Sequence, residues 1–166
     1  IGDNGTIILT VDVTGRLGVA NSAVTSIATI DDAEATGGSD TVSGNAGGDV
    51  ILGGVGSDTI YGDAVGQGAH DGGDVILGDN GFLDFDADST GNLATLDLVE
   101  SAAYAPDGTT VLGGVDTITG DAGNDMLIGG TFGDILYGDN SGASAGASDG
   151  KDMLIGDNGR ISLSGD

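Results

Sequence analysis

Asp40, Asp49 and Asp58 follow one another every nine residues in a glycine-rich frame, and Asp116, Asp125 and Asp134 repeat the arrangement 76 residues later. The first three sit in G-G-S-D-T-V-S, G-N-A-G-G-D-V-I-L and G-G-V-G-S-D-T-I-Y, the second three in G-G-V-D-T-I-T, G-D-A-G-N-D-M-L-I and G-G-T-F-G-D-I-L-Y. Short carboxylates in tight glycine turns suit a hard cation that takes oxygen ligands. Calcium needs roughly six to eight oxygens from carboxylates and backbone carbonyls, in flexible geometry. A glycine turn ending in Asp supplies carbonyls and one carboxylate, and the turn 18 residues further on supplies a second from the same side. This spacing pairs Asp40 with Asp58 and Asp116 with Asp134. On the other side Asp49 and Asp125 face two long acidic turns, which carry Asp63, Asp71 and Asp74, or Asp139, Asp149 and Asp152. Asp79 and Asp157, in two G-D-N-G turns, continue the first side. All of these aspartates are candidate metal ligands.

The choice of acid supports that chemistry. Of 27 acidic residues only Glu34 and Glu100 are glutamate, whereas a merely solubilising surface would mix the two. Scattered aspartates such as Asp12 and Asp97 read as solvated. With three basic residues and a net charge of −24, the chain has no basic footprint for nucleic acid, and an anionic membrane surface would repel it. No apolar run reaches the length of a membrane span, so no membrane insertion is expected. The chain begins and ends inside a repeat and reads as a piece of a longer protein. There is no cysteine, and the one histidine, His70, lies in an acidic turn where a solvated role is expected.

The elements that position the aspartates follow from the repeats. G-D-N-G begins at Gly2, Gly78 and Gly156, with 76 and 78 residues between starts. This divides the chain into a first large repeat, 2–77, a second, 78–155, and the start of a third, 156–166. Each full repeat opens with an insert (6–36 and 82–112) followed by a nonapeptide block (37–77 and 113–155). In a nonapeptide the glycine-rich first six residues form a turn, and the last three form a short strand with one inward apolar residue. The inward positions are Val42, Ile51, Ile60, Ile76, Ile118, Leu127, Leu136 and Leu154, all branched aliphatics. Strands this short are stable only when successive coils stack on their neighbours.

The two sets of strands differ. Val50–Leu52, Val75–Leu77, Met126–Ile128 and Met153–Ile155 are apolar on both faces, as in a sheet covered on both sides. Thr41–Ser43, Thr59–Tyr61, Thr117–Thr119 and Ile135–Tyr137 are mostly polar outside. The inserts are the expected cover of the first set. Each has a Thr-Gly turn, Thr14-Gly15 or Thr90-Gly91, flanked by apolar segments, and reads as a β-hairpin excursion. A helix over Leu96–Tyr104 competes with that reading, although the matching Ala20–Ala28 is rich in β-branched residues. Pro106-Asp107-Gly108 reads as a turn.

The blocks at 37–81 and 113–159 resemble the hemolysin-type calcium-binding repeats of RTX (repeats-in-toxin) proteins. The resemblance implies an all-β, right-handed parallel β-roll or β-helix with several calcium ions between stacked turns, here interrupted by hairpin-like inserts. It carries the family's ligand position to Asp40, Asp49, Asp58, Asp74, Asp116, Asp125, Asp134 and Asp152. The chain departs from the pattern in three respects. The first nonapeptide of each block lacks leading glycines, the fourth turn is enlarged, and the inserts have no counterpart in the simple repeat.

The leading functional expectation is a calcium-binding structural module of a large secreted or cell-surface bacterial protein, an adhesin or toxin for example, that folds when it meets calcium outside the cell. Its partners would be calcium and neighbouring repeats of the same chain. A second reading is a module that binds carbohydrate or ice. Thr41, Thr59, Thr117 and Thr119 hint at an ice-binding row, but Ser43, Ile135 and the tyrosines interrupt it, and the chain has only six aromatic residues for a sugar platform. A third reading, an accessory part of a carbohydrate-active enzyme, lacks any catalytic signature, and no enzymatic activity is expected.

Overall fold

The computed structural model describes residues 1–3, 5–10, 23–30, 33–63, 72–85, 87, 96–139 and 150–163. Its core is a parallel β-roll made of two four-stranded sheets. One contains β3 (Thr41–Ser43), β5 (Thr59–Tyr61), β9 (Thr117–Thr119) and β11 (Ile135–Tyr137), stacked in that order. The other contains β4 (Val50–Leu52), β6 (Val75–Leu77), β10 (Met126–Ile128) and β12 (Met153–Ile155). All neighbours within these sheets run parallel and in register, Ile60 opposite Ile118 and Ile76 opposite Leu127. Each strand is three residues long because a glycine turn both precedes and follows it. The ladder continues into the turns, where Gly53 N–H donates to the Leu77 carbonyl (2.9 Å) and Gly78 N–H to the Ile128 carbonyl (2.9 Å).

The inward residues make the interior of the roll. Ile51, Ile60, Ile76, Ile118 and Leu127 form one buried cluster with Val42 and Leu136 packed against it. Leu154, the remaining inward position, lies in the outermost strand β12 and is 43 % exposed because no coil stacks beyond it among the described residues.

The inserts form a third, antiparallel sheet. β1 (Gly5–Thr10) pairs β2 (Ala23–Thr29), β7 (Gly81–Asp84) pairs β8 (Leu98–Ser101), and β13 (Arg160–Ser162) closes the order β1-β2-β7-β8-β13. Hairpin-like inserts are therefore present, although both Thr-Gly turns lie outside the described residues. The competing helix is absent, since Leu98–Ser101 is strand, and the only helical turn among the described residues is a 3-10 turn at Glu34–Thr36. The turn at Pro106-Asp107-Gly108 is present, with Gly108 N–H donating to the Ala105 carbonyl (2.9 Å).

This third sheet covers the roll where cover was expected. Leu52, Leu77 and Ile128 from the doubly apolar strands pack with Leu83, Val99 and Ile161 from the insert sheet. The first five of these six have no exposed surface. Burying such a side chain is worth about 1.5–3 kcal/mol, so the inserts are part of the core rather than decoration.

The stack also runs straight through the junction between the large repeats. β5 pairs β9 and β6 pairs β10, so the second insert loops out between strands that hydrogen-bond each other. Among the described residues no helix is long and apolar enough to cross a membrane.

Candidate metal centre

The register aspartates form two ladders, one along each edge of the roll. On the first, the backbone N–H of Asp40 donates to Asp58 Oδ1 (2.8 Å), that of Asp58 to Asp116 Oδ1 (2.8 Å), and that of Asp116 to Asp134 Oδ1 (2.9 Å). On the second, Asp49 N–H donates to Asp74 Oδ1 (2.8 Å), Asp74 N–H to Asp125 Oδ1 (2.9 Å) and Asp125 N–H to Asp152 Oδ1 (3.1 Å). Each bond fixes one carboxylate oxygen and thereby the direction of the other. The pairs expected from the 18-residue spacing are both formed. The links from Asp58 to Asp116 and from Asp74 to Asp125, 58 and 51 residues apart, were not legible because the insert separates them in sequence.

The second oxygens face the glycine turns. Oδ2 of Asp40, Asp49, Asp58, Asp116 and Asp134 is buried without a hydrogen-bond partner. A Cβ built on Gly53 would lie 2.5 Å from Asp58 Oδ2 and 2.0 Å from the Gly78 carbonyl oxygen. The same geometry recurs at Gly44 with Asp49 and Gly62, at Gly78 with Asp116 and Gly129, and at Gly129 with Asp134 and Gly156. Glycine is required at these places because a carboxylate oxygen and a carbonyl oxygen of the next coil converge where a side chain would go. Converging acceptors with no donor are a costly arrangement unless a cation joins them. A hard cation fits this set of oxygens, and calcium fits it best among those whose ligands are carboxylates and carbonyls in flexible geometry.

Electrostatics agree. Burial is the main cause that raises Asp58 to about 6, Asp79 to about 7 and Asp116 to about 8, with neighbouring carboxylates adding to the effect. Burial likewise raises Asp134, with Asp157 contributing. Three basic residues in the whole chain cannot balance this charge. Because these folded-state values lie above the ordinary carboxylate value, the metal-free fold gains stability as the groups take up protons. It loses that stability as pH rises through about 6 to 8. In chelator, acidification from pH about 8 to about 5 should therefore recover part of the β signal. With calcium present, the same acidification should raise the calcium concentration needed for folding, because protons compete for the carboxylates. Circular dichroism against calcium at several pH values measures both, and opposite slopes would contradict the assignment.

Other aspartates play different parts. Asp79 wedges between two turns of the second repeat, its Oδ1 accepting from Gly114 N–H (2.7 Å) and its Oδ2 from the Thr131 N–H and hydroxyl. The Thr131 hydroxyl also lies within hydrogen-bond distance of the Leu112 carbonyl (2.7 Å), its single proton shared between these two acceptors, so Thr131 brings both ends of the second insert to one turn. Protein donors thus reach both of its oxygens, which sets it apart from Asp40, Asp49, Asp58, Asp116 and Asp134. Asp63 is 2 % exposed, with Oδ2 accepting from Ala122 N–H (3.1 Å) and Oδ1 buried without a partner. Asp139 is half-buried and Asp157 is exposed, while Asp71, Asp149 and His70 lie outside the described residues.

Three residues were misjudged or missed by sequence reasoning. Asp97 is 7 % exposed rather than solvated, because just before β8 its N–H donates to the Asp84 carbonyl (2.9 Å) and its carbonyl accepts from Leu163 N–H (2.8 Å), which holds it between chain segments on either side in the insert sheet. Asp3 lies against the Gly54 turn, where a Cβ would come within 2.8 Å of its Oδ2, and it adds to the charge felt by Asp58. Its G-D-N-G context, shared with Asp79, was the available signal. Asp121 adopts a left-handed backbone (φ 68°), as does Asn45 (φ 74°) at the equivalent place in the first block. Asn and Asp are the non-glycine residues that most readily take this conformation. Among the described residues no three acidic or histidine side chains gather at one point. The turns instead combine one or two carboxylates with backbone carbonyls.

Fold and turns together define a parallel β-roll that directs oxygens at cations between its coils. The family model of the RTX calcium-binding nonapeptide repeat matches four copies, over residues 34–64 and 111–136. These two segments are RTX calcium-binding repeats, and the part of the chain they cover is a calcium-binding repeat module. No curated protein and no solved structure matches the chain. The matched segments contain Asp40, Asp49, Asp58, Asp63, Asp116, Asp125 and Asp134, while the second G-D-N-G turn, most of the fourth turns and most of the inserts lie outside them.

Proposed function

We propose that the chain is a structural module of a large secreted or cell-surface bacterial protein, which stays unfolded in low-calcium cytoplasm and folds in extracellular calcium. The observation that carries this reading is the double aspartate ladder. The neighbouring coil pins one oxygen of Asp58, Asp116, Asp134, Asp74, Asp125 and Asp152, and Oδ2 of Asp40, Asp49, Asp58, Asp116 and Asp134 faces a glycine carbonyl without a hydrogen-bond partner. Several calcium ions would bind, one between each pair of stacked turns, held by Asp40, Asp58, Asp116 and Asp134 on one edge and Asp49, Asp74, Asp125 and Asp152 on the other. Asp63 is a further ligand of the second edge. Bound calcium would neutralise buried carboxylates and join neighbouring coils at their edges. The proposed role is mechanical and architectural rather than catalytic.

Single substitutions test the assignment. Asp58→Asn and Asp116→Asn should each raise the calcium concentration needed for folding several-fold, since the amide keeps the oxygen but loses the charge. Glu100→Gln, outside both ladders, should leave it unchanged. Calcium titrations followed by calorimetry give the comparison, and equal effects from all three would show that bulk charge rather than ladder geometry governs binding.

A further inference from the structure

We propose that Asn158 is a site of spontaneous deamidation, and that burial keeps Asn80, in the same motif, from this reaction. Asparagine is among the chemically labile residues, and a following glycine leaves the next backbone nitrogen unhindered by a side chain. Asn precedes Gly only at Asn4, Asn80 and Asn158, once in each G-D-N-G. Asn4 lies outside the described residues. The reaction needs no partner but water. The Gly159 nitrogen attacks Asn158 Cγ and a C–N bond forms. The carboxamide C–N bond breaks, and the proton of the glycine nitrogen leaves with the carboxamide nitrogen as ammonia. Water then opens the succinimide at either carbonyl, which gives aspartate or isoaspartate.

The two described copies differ in their surroundings. Asn80 is 4 % exposed, and its backbone carbonyl accepts from Ala102 N–H (2.8 Å). Asn158 is exposed, and β13, which follows it, is the last strand in the order of the insert sheet. A carboxamide in a close-packed interior can neither swing freely onto the next nitrogen nor meet water. Both glycine nitrogens are also engaged by a hydroxyl. Gly81 N–H donates to Thr29 Oγ1 (2.9 Å) and Gly159 N–H to Ser101 Oγ (2.8 Å). These hydroxyls belong to the last residues of β2 and β8. Attack requires the nitrogen to give up the proton it shares with the hydroxyl, so the bond must break first. At Asn80 this restraint adds to burial, and at Asn158 it acts without it.

The modification has consequences for the insert sheet. It adds a carboxylate beside Asp157 in a chain of net charge −24, and the isoaspartate product lengthens the backbone leading into β13. Both changes weaken the pairing of β13 with β8. The site uses none of the ladder aspartates and does not rest on the calcium reading.

The test is peptide mass mapping of the full chain held in saturating calcium at mildly alkaline pH and body temperature. Circular dichroism confirms the fold, and protein isoaspartate methyltransferase counts the isoaspartate. Asn158 should convert to aspartate and isoaspartate while Asn80 stays intact. In concentrated urea, which unfolds the chain whatever its metal content, the two should react at similar rates. Ser101→Ala should speed conversion of Asn158 several-fold in the folded chain, and Ser101→Thr, which keeps the hydroxyl, should not. Equal rates at Asn80 and Asn158 in the folded chain would overturn the proposal. So would an Asn158 that stays intact in the folded chain but reacts in urea. An unchanged rate in folded Ser101→Ala would overturn the restraint assigned to the hydroxyl.

Discussion

In excess chelator the chain is expected to give the circular dichroism of a largely disordered polypeptide, and millimolar calcium is expected to raise the β signal in one cooperative step. Two features of the molecule make this the largest effect. The roll strands are three residues long, too short to persist alone, and they depend on stacking. The edges of that stack bring carboxylates together in a chain of net charge −24, so without a counter-ion the coils repel one another. The ladders pass through the junction of the two large repeats by way of Asp58 and Asp116, which is why one transition rather than two is expected. Magnesium should substitute poorly, because it demands a tighter octahedral shell than turn carbonyls and single carboxylates provide. A spectrum in chelator identical to that in calcium would contradict the account.

Removing the second insert is expected to have the next largest effect. Deleting 82–112 and joining its ends is sterically reasonable, since Asp79 and Leu112 both bond Thr131. The deletion takes away Leu83 and Val99 and uncovers Leu77 and Ile128, all without exposed surface in the intact chain. At about 25 cal/mol per Å² of apolar area, losing this cover should cause strong destabilisation or association even in saturating calcium. Leu83→Ala is the milder version and should cost about 2–5 kcal/mol while leaving calcium stoichiometry unchanged. Sedimentation and thermal melts of the two variants check this, and a deleted chain that remains monomeric and equally stable would show that the insert sheet is not the cover.

The roll was legible because its signal is duplicated and in phase. Nine-residue spacing sets one coil per two turns, so inward residues such as Ile60 and Leu127 and the Asp40–Asp58 pairing follow from counting. The apolar outer face of Val75–Leu77 announced a cover, and the inserts supplied it. What counting could not reach were the long-range joins. Pairing of β6 with β10, the wedge of Asp79 under Thr131 and the burial of Asp97 all depend on how an insert of irregular sequence folds back, and no period encodes that.

The account turns on cations lying between glycine turns rather than on acidic charge in general. Crystals grown in calcium, with anomalous differences collected at long wavelength, test this most directly. The account predicts a row of peaks along each edge of the roll, each bounded by a ladder carboxylate and a glycine carbonyl such as Asp58 and Gly78, or Asp116 and Gly129. Peaks confined to exposed carboxylates such as Asp107 and Asp157, with none between the turns, would contradict it.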